Sequence, residues 1–446
     1  MSGAPTVDAV RRVLRTELNE QPAELGRLNA VLSLAGDLLH RAVLEDGRQC
    51  RRAAACEELL RALVPIMPWA ELDPRRDPFG LVAENAHALV AADLVPDTVL
   101  RKIVQLLVAA DTPEPPPSTQ DGAGTSAATG TADELLGGCG VDMTVRQVRV
   151  MAERSGVTSL ICRGSRSNRS DDTVVVRRYP PGADPYSLQR EEAMLRYVHR
   201  LGGPAAAPVC SSPQDSLHAR AMLVMRLDAE TAWDAWPGHR LNAEEITGLA
   251  TALARLHSIP LDAVPCTTVS WMRTPAEIEE AVLEAGRRVR AGDPSGGRSA
   301  QPVQALVFAW LRVNLPAQVS RPVLLHGRSA GTWLFGRPGG PGPIALDWQG
   351  ARVGEAAQDL AAVRRMIPRI GWDEFLAAYR VAGGVIPPES RLRYYAVWHA
   401  ACRYVDAYRG IARLRSPRAD FGDAVRGLRD APAELAECVR IAFGDQ

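Results

Sequence analysis

The stretch LLHGRSAGTWLF, residues 324–335, decides between two unrelated folds for this chain. Residues 327–331 fit the G-x-S-x-G pattern by which serine hydrolases present a nucleophile, here Ser329, on a sharp strand-to-helix turn. The order Ser329, Asp347, His399 along the chain also matches the Ser–Asp–His order of α/β-hydrolases. The sequence around the motif tests this interpretation.

The segment that follows Ser329 does not suit a nucleophile elbow. An elbow requires a helix directly behind the serine, whereas residues 332–335 form an apolar, extended run that ends in the turn GRPGGPG. Only 18 residues separate Ser329 from Asp347, too few for the helix and strand that should lie between them. A chain with 37 glycines matches G-x-S-x-G easily by chance. We therefore keep the serine hydrolase as the third hypothesis.

The composition excludes several partners. The 446 residues include 52 Lys and Arg against 52 Asp and Glu, so the formal net charge is zero, which gives no electrostatic basis for binding nucleic acid or an anionic membrane. The chain has no apolar run of membrane-spanning length and no apolar secretory signal at its start. Its eight cysteines show no C-x-x-C spacing. We expect a cytoplasmic protein with reduced thiols and no structural zinc.

Periodicity and composition divide the chain into four parts. Residues 1–110 carry apolar side chains at helical spacing and predict an all-α bundle, a candidate surface for a protein partner. Residues 111–134 are rich in Pro, Gly, Ser and Thr and predict a flexible linker. Residues 135–228 combine β-branched runs with one helix, and residues 229–446 are mainly helical.

The third part predicts a small lobe of sheet and helix. TSLICRG and TVVVRRY are β-branched runs separated by the polar turn SRSNRSDD, which indicates a hairpin. The helix SLQREEAMLRYVHRL and the strand ARAMLVMRL follow. In the fourth part, Asn242 and Glu245 form a capping-box pattern before an amphipathic helix, and PVLLHG and PIALDW are short apolar strands.

Five segments stand in order along the chain: VVVRRYPPGADPYSLQREEAMLRYV, AMLVMRLDAE, ALARLHSIPLD, VLLHG and IALDWQGARVGEAAQDLAAV. Together they resemble the aminoglycoside phosphotransferase and choline-kinase-like family, most closely the branch whose phosphotransferase domains accompany acyl-CoA dehydrogenases. The resemblance covers about residues 140–415. It implies an α+β, bilobal protein-kinase-like fold behind the N-terminal bundle, ATP and Mg²⁺ as cofactors, and a small-molecule or nucleotide-like ligand.

The resemblance assigns the nucleotide site residue by residue. Arg177 matches the cation of the third strand that grips nucleotide phosphates, and Glu191 matches its partner on the helix. Val224 and Met225 match the hinge whose backbone faces the adenine ring, and Ser159 belongs to the phosphate loop. The pattern alone leaves a second interpretation open, in which Arg177 and Glu191 are a solvated strand end and helix face.

Two aspartates match the family as well. Asp347 corresponds to the metal-binding aspartate, although an aspartate that ends an apolar strand also suits a cap for the next turn. Asp359 corresponds to an architectural aspartate. The family's catalytic loop reads HGD-x-x-x-x-N, but here Arg328 stands in place of the Asp and Trp333 in place of the Asn. Arginine does not accept a proton, and the indole offers only an N–H donor.

The altered loop leaves Arg328, His326 and Ser329 as the candidate catalytic residues. The guanidinium of Arg328 suits the binding of a phosphate or carboxylate, His326 suits ordering of the loop, and Ser329 suits a substrate contact. The sequence thus predicts a pseudo-enzyme that has lost ordinary phosphoryl transfer and serves in ligand binding or scaffolding. The alternative is a working small-molecule phosphotransferase, or a family enzyme repurposed for a nucleotide- or CoA-like ligand.

Overall fold

The computed structural model describes residues 141–154, 157–166, 169–179, 185–212, 222–227, 234–235, 241–262, 264, 270–291, 302–327, 332–336, 342–412 and 434–444, together with Ile103 and Leu136. The bundle predicted for residues 1–110, apart from Ile103, and the linker of residues 111–134 lie outside the described residues. The same holds for residues 328–331, which include Arg328 and Ser329.

An antiparallel sheet of five strands forms the first lobe. The strands are β1 (Thr144–Arg154), β2 (Val157–Arg166), β3 (Arg169–Arg178), β4 (Ala207–Ser212) and β5 (Met222–Leu227), in the order β1-β2-β3-β5-β4. The predicted hairpin of β2 and β3 is confirmed. The sequence analysis missed β1 and β4 because both are edge strands: β1 is rich in polar residues, and β4 contains Pro208, which an edge strand tolerates.

The period-two alternation of the strands sorts the side chains of this sheet onto its two faces. On one face, strand residues pack with residues that precede β1 in a buried apolar cluster. The cluster consists of Leu136, Val141, Met143, Val145, Leu160, Cys162, Val174 and Val176. On the other side, α1 (Pro185–Arg200) packs against β4 and β5. Arg177 lies between Val176 and Arg178 on β3, and its side chain contacts Glu191 of α1.

The second lobe is mainly helical. Its helices are α2 (Ala243–His257), α3 (Pro275–Ala291), α4 (Pro302–Val313), α5 (Ala357–Val363), α6 (Trp372–Val381) and α7 (Glu389–Ala412), and residues 434–443 are helical too. Asn242 and Glu245 form the predicted capping box of α2. Helix α2 packs against α6, and α7 packs against α3 and α5. In the described part of the chain, no helix has the length and apolar character needed to cross a bilayer.

Two small sheets complete the second lobe, and one strand of each lies next to residues 326–332 in the sequence. One has the order β7-β11-β8 and consists of Ser270–Trp271, Arg352–Glu355 and Pro322–Leu325. The other has the order β10-β9-β6 and consists of Ile344–Ala345, Trp333–Phe335 and Asp234–Ala235. The predicted strands around PVLLHG and PIALDW are thus confirmed as β8 and β10. The segment that holds Ser329 leads into strand β9 rather than into the helix of an elbow.

We predict that the buried face of the first sheet sets the stability of its lobe. Val174→Ala should lower the free energy of unfolding by about 1.5–3 kcal/mol, because Val174 is fully buried in the apolar cluster. Val385→Ala is the matched control, since Val385 is 73% exposed, and it should change stability by less than about 0.5 kcal/mol. Urea denaturation measures both. Equal effects of the two variants would contradict the placement of Val174.

Candidate functional site

The guanidinium of Arg177 is the centre of a buried polar site. Its Nε lies 2.8 Å from Oε1 of Glu191, in an ion pair without hydrogen-bond alignment. Its Nη1 donates to Oγ of Ser159 at 2.9 Å, and its Nη2 donates to Oδ1 of Asp347 at 2.8 Å. All four residues are buried. The interpretation of Arg177 and Glu191 as a solvated strand end and helix face is therefore wrong.

Glu191 extends this site on the other side of the guanidinium. Its Oε2 accepts a hydrogen bond from the hydroxyl of Tyr179, and its Oε1 accepts one from the backbone N–H of Trp348 at 3.2 Å. The sequence analysis missed Tyr179, and its only signal was an aromatic residue two positions after Arg177. Since Trp348 follows β10, the carboxylate joins α1 of the first lobe to the second lobe.

Burial and charge act against each other in this cluster. Burial lowers the pKa of Arg177, but the charges of Glu191 and Asp347 outweigh it, and the pKa is raised above the ordinary value. For Glu191, burial prevails over the attraction of Arg177, and the pKa is raised. Burial and the neighbouring Glu191 also raise the pKa of Tyr179. Arg177 therefore stays cationic, and Tyr179 stays a hydrogen-bond donor.

Asp347 adopts a backbone conformation that few residues tolerate. Its φ of 65° and ψ of 59° lie in the left-handed region, where aspartate is one of the better accepted side chains. It precedes the 3₁₀ turn Trp348–Gly350 but makes no side-chain capping bond to that turn. The capping alternative is therefore wrong, and the carboxylate instead contacts Arg177.

Asp359 anchors the start of the loop that the family uses for catalysis. Its Oδ2 accepts from the backbone N–H of His326 at 2.8 Å, and its Oδ1 accepts from that of Gly327 at 2.9 Å. His257 Nε2 lies 3.3 Å from Oδ2, and Tyr379 Oη lies 2.7 Å from His257 Nδ1. Burial raises the pKa of Asp359, but the hydrogen bond and charge of His257 outweigh it, and the pKa falls to about 2.

The side chain of His326 is part of the buried core of the second lobe. Its Nε2 lies 2.7 Å from the carbonyl oxygen of Leu346, and its ring packs against those of Trp348 and Trp333, with centroid separations of 4.9 and 5.8 Å. The imidazole is buried. These contacts tie the imidazole to Leu346, Trp348 and Trp333, and both its loop-ordering role and its candidate catalytic role stay predictions.

Like Arg177 on β3, the other strand residues that the resemblance assigned to the nucleotide lie within the first sheet. Ser159 is part of β2 and accepts from Arg177. Val224 and Met225 are part of β5, which pairs with β3 on one side and β4 on the other. Strands β3 and β4 thus flank the backbone at Val224 and Met225. The adenine-facing role of these two residues stays a prediction.

Trp333 and Asp347 bear on whether this site suits Mg²⁺. Trp333, which the resemblance aligns with the family's asparagine, is buried in β9 and carries no oxygen ligand. Asp347 already contacts the Arg177 guanidinium. Mg²⁺ demands octahedral oxygen coordination and retains several waters. Among the described residues, no group of three His, Cys, Asp or Glu is placed to hold a metal ion. The residues present do not fit the family's magnesium site.

The hydrolase alternative gains no support from His399. Its Nε2 lies 2.7 Å from the carbonyl oxygen of Gln358. Burial, together with the charges of Arg352 and Arg403, lowers the pKa of His399 to about 3. The third member of the proposed triad, Asp347, pairs with Arg177. A general base works best when its pKa lies near the operating pH. A buried histidine with so low a pKa is therefore a poor base for a serine nucleophile.

Comparison with known proteins assigns the family. The family model of the phosphotransferase enzyme family, APH, matches residues 163–395, just over half of the chain. The chain therefore belongs to the phosphotransferase enzyme family, and the kinase-like, two-lobed fold expected from the resemblance is confirmed. No curated protein gives a significant match.

Several solved structures are similar to this chain at low identity. The macrolide 2′-phosphotransferase of Brachybacterium faecium, as apoenzyme, is 19% identical over 69% of this chain and 97% of its own, with a TM-score of 0.46. A putative aminoglycoside phosphotransferase from Ralstonia eutropha is 14% identical over 70% and 98%, with a TM-score of 0.47. Spectinomycin phosphotransferase, in complex with ADP and spectinomycin, is 12% identical over 71% and 99%, with a TM-score of 0.47.

We predict that glycine is required at position 327. Its φ is +72°, and an added Cβ would lie 1.9 Å from the carbonyl oxygen of Gly350. Gly327→Ala should therefore cost more than the 1–2 kcal/mol of a left-handed backbone alone. Gly383→Ala is the matched control, because Gly383 has a φ of +92° with open space around its Cβ position. Thermal denaturation of both variants separates the clash from the strain, and equal losses would contradict the contact.

We predict that Asp359 contributes pH-dependent stability. A carboxyl with a pKa of about 2 in the folded state, against 3.8 in the unfolded state, stabilises the fold by about 2 kcal/mol at neutral pH. Because the folded value is depressed, this stability is present above pH 3.8 and is lost as the pH falls toward 2. Asp359→Asn should lower the unfolding free energy by about 2–3 kcal/mol at pH 7.

Denaturation curves at several pH values measure this contribution. The difference between the wild type and Asp359→Asn should shrink as the pH falls below 4. Asp373→Asn is the control, because Asp373 is exposed in the first turn of α6, and it should cost less than about 0.5 kcal/mol. A difference between the wild type and Asp359→Asn that is independent of pH would show that the carboxylate charge is not the cause.

Proposed function

We propose that this protein is a phosphotransferase-family pseudo-enzyme that has lost ordinary ATP-dependent phosphoryl transfer and acts by binding a ligand or as a scaffold. The observation that carries the proposal is the residue after Gly327. The loop up to Gly327 is anchored on Asp359, yet the next position, where the family has its aspartate, holds Arg328. Arginine cannot take the proton of an acceptor hydroxyl, and loss of a general base costs about 10²–10⁴-fold in rate.

Trp333 supports the same proposal from a second position. The family uses an asparagine there to hold magnesium, whereas the Trp333 side chain is buried and packs near the His326 ring. A side chain committed to the core in this way does not act as a metal ligand. The family's phosphoryl-transfer site uses a proton acceptor and two metal ligands. Arg328 stands in place of the proton acceptor and Trp333 in place of the second metal ligand, so only the first metal ligand, Asp347, keeps the family's chemistry.

The ligand that we propose is a small molecule that carries a phosphate or carboxylate, such as a nucleotide- or CoA-like compound. The guanidinium of Arg328 would hold such a group through paired hydrogen bonds. A protein partner for residues 1–110 and a cytoplasmic location belong to the proposal as well. Neither a nucleic-acid nor a membrane partner does, because the chain carries no net charge.

One observation favours the second candidate function, a working phosphotransferase. Arg177 and Glu191 form the ion pair that a nucleotide-gripping cation needs, and Asp347 lies beside them. These contacts of Arg177, Glu191 and Asp347 support the second candidate. The two candidates differ in turnover, since only the working enzyme converts ATP in a metal-dependent manner.

Turnover of ATP tests the proposal. With MgATP and aminoglycoside, macrolide or choline acceptors, ADP formation by the wild type should equal that of Asp347→Asn. Metal-dependent ADP formation that falls at least 100-fold in Asp347→Asn would instead establish the working enzyme.

Arg328→Asp restores the family's carboxylate, and Arg328→Ala is its matched control. A gain in turnover in Arg328→Asp alone would identify the missing carboxylate as the cause of the loss. Labelling of Ser329 by a fluorophosphonate would support the hydrolase.

A further inference from the structure

The contact between Arg177 and Asp347 suggests how the site manages without magnesium. We propose that the Arg177 guanidinium takes the place of the divalent cation at Asp347, so that this site binds its ligand without a metal. The inference rests on the proposed function, since a cation fixed in the protein suits a family member that no longer transfers phosphate.

The guanidinium is held at Asp347 from three directions. Nη2 donates to Oδ1 of Asp347 at 2.8 Å, while Ser159 accepts from Nη1 at 2.9 Å and Glu191 lies 2.8 Å from Nε. A planar guanidinium whose three nitrogens each contact a different residue cannot rotate away from one of them without losing the others. Ser159 and Glu191 thus act as positioning residues for the cation that faces Asp347.

The burial of the pair leaves little room for a hydrated ion. The side chains of Arg177 and Asp347 are 5% and 7% exposed. Mg²⁺ binds proteins through one or two carboxylates and otherwise keeps its waters. An ion at Asp347 would compete with the guanidinium for the same carboxylate, and the two cations would repel each other at contact distance. We expect this competition to weaken divalent-cation binding by at least about 100-fold.

The second family position cannot compensate for this competition. Trp333 lies in β9 opposite Ala345, is buried, and packs near the His326 ring. An indole supplies no oxygen to a divalent cation. An ion that reached Asp347 would therefore lack the second protein ligand that the family provides.

Binding of Mn²⁺ alone, a paramagnetic stand-in for Mg²⁺, tests the inference by electron paramagnetic resonance of the free ion. The full-length wild type should show no Mn²⁺ site that disappears in Asp347→Asn. Arg177→Gln removes the internal cation and leaves Asp347 and Glu191 without it, so it should create a Mn²⁺ site at least ten times tighter than any in the wild type. The double variant Arg177→Gln/Asp347→Asn should lose that site.

Two controls separate the cation from the general structure of the site. Ser159→Ala removes one anchor but keeps the guanidinium and both carboxylates, so it should bind Mn²⁺ no better than the wild type. Circular dichroism reports whether Arg177→Gln is folded. If it is not, Arg177→Met takes its place, because methionine keeps an unbranched apolar stem at this buried position and also removes the cation, so it should likewise bind Mn²⁺ more tightly than the wild type.

Two results would overturn the inference. One is a wild-type Mn²⁺ site that weakens at least tenfold in Asp347→Asn. The other is a folded Arg177→Gln or, in its place, a folded Arg177→Met that gains no Mn²⁺ affinity. Neither result concerns turnover, so a protein that binds Mn²⁺ at Asp347 but forms no ADP contradicts only this inference. ADP formation contradicts the proposed function.

Discussion

The guanidinium of Arg177 lies where four separate segments of the chain meet. Arg177 itself belongs to β3, and its guanidinium contacts β2 through Ser159, α1 through Glu191, and the segment after β10 through Asp347. All of these groups are buried, and removal of one partner from a buried ion pair costs about 3–5 kcal/mol, because it leaves a charge uncompensated. The sheet-rich and helix-rich lobes are thus joined by charges that depend on one another.

The loop after β8 has a support of its own that does not involve Arg177. Asp359 binds the backbone at His326 and Gly327, and His257 and Tyr379 extend this network to α2 and α6. These bonds use the backbone groups of His326 and Gly327 and buried side chains, so none of them involves the side chain at position 328. The proposed change of chemistry at position 328 therefore removes none of these bonds.

Trp333 is the residue of the altered loop pattern that the structure places in the core. It is buried in strand β9 and packs near the His326 ring. An asparagine there would bring an amide that needs hydrogen-bond partners when buried. Burial at this position thus favours tryptophan over asparagine, which agrees with the proposed loss of the family's second metal ligand.

The residues of the site were largely recognisable from the sequence, but their contacts were not. Arg177, Glu191 and Asp347 stand in segments whose order resembles the family. Tyr179 and Ser159, as the groups that hold Glu191 and Arg177, had no distinguishing pattern. Arg177 and Asp347 are 170 residues apart, and no local pattern encodes which distant side chain meets which.

The sequence by itself determined the local elements of this protein, because apolar periodicity and capping residues act over a few positions. The hairpin of β2 and β3, helix α1 and the capping box of α2 follow from such patterns, whereas the polar edge strands β1 and β4 do not. Only the tertiary structure decided that Arg177 is buried against two carboxylates, that Asp347 contacts a guanidinium instead of capping a turn, and that Trp333 belongs to the core. Burial and long-range charge are properties of the packed chain, and they exist only once distant segments have come together.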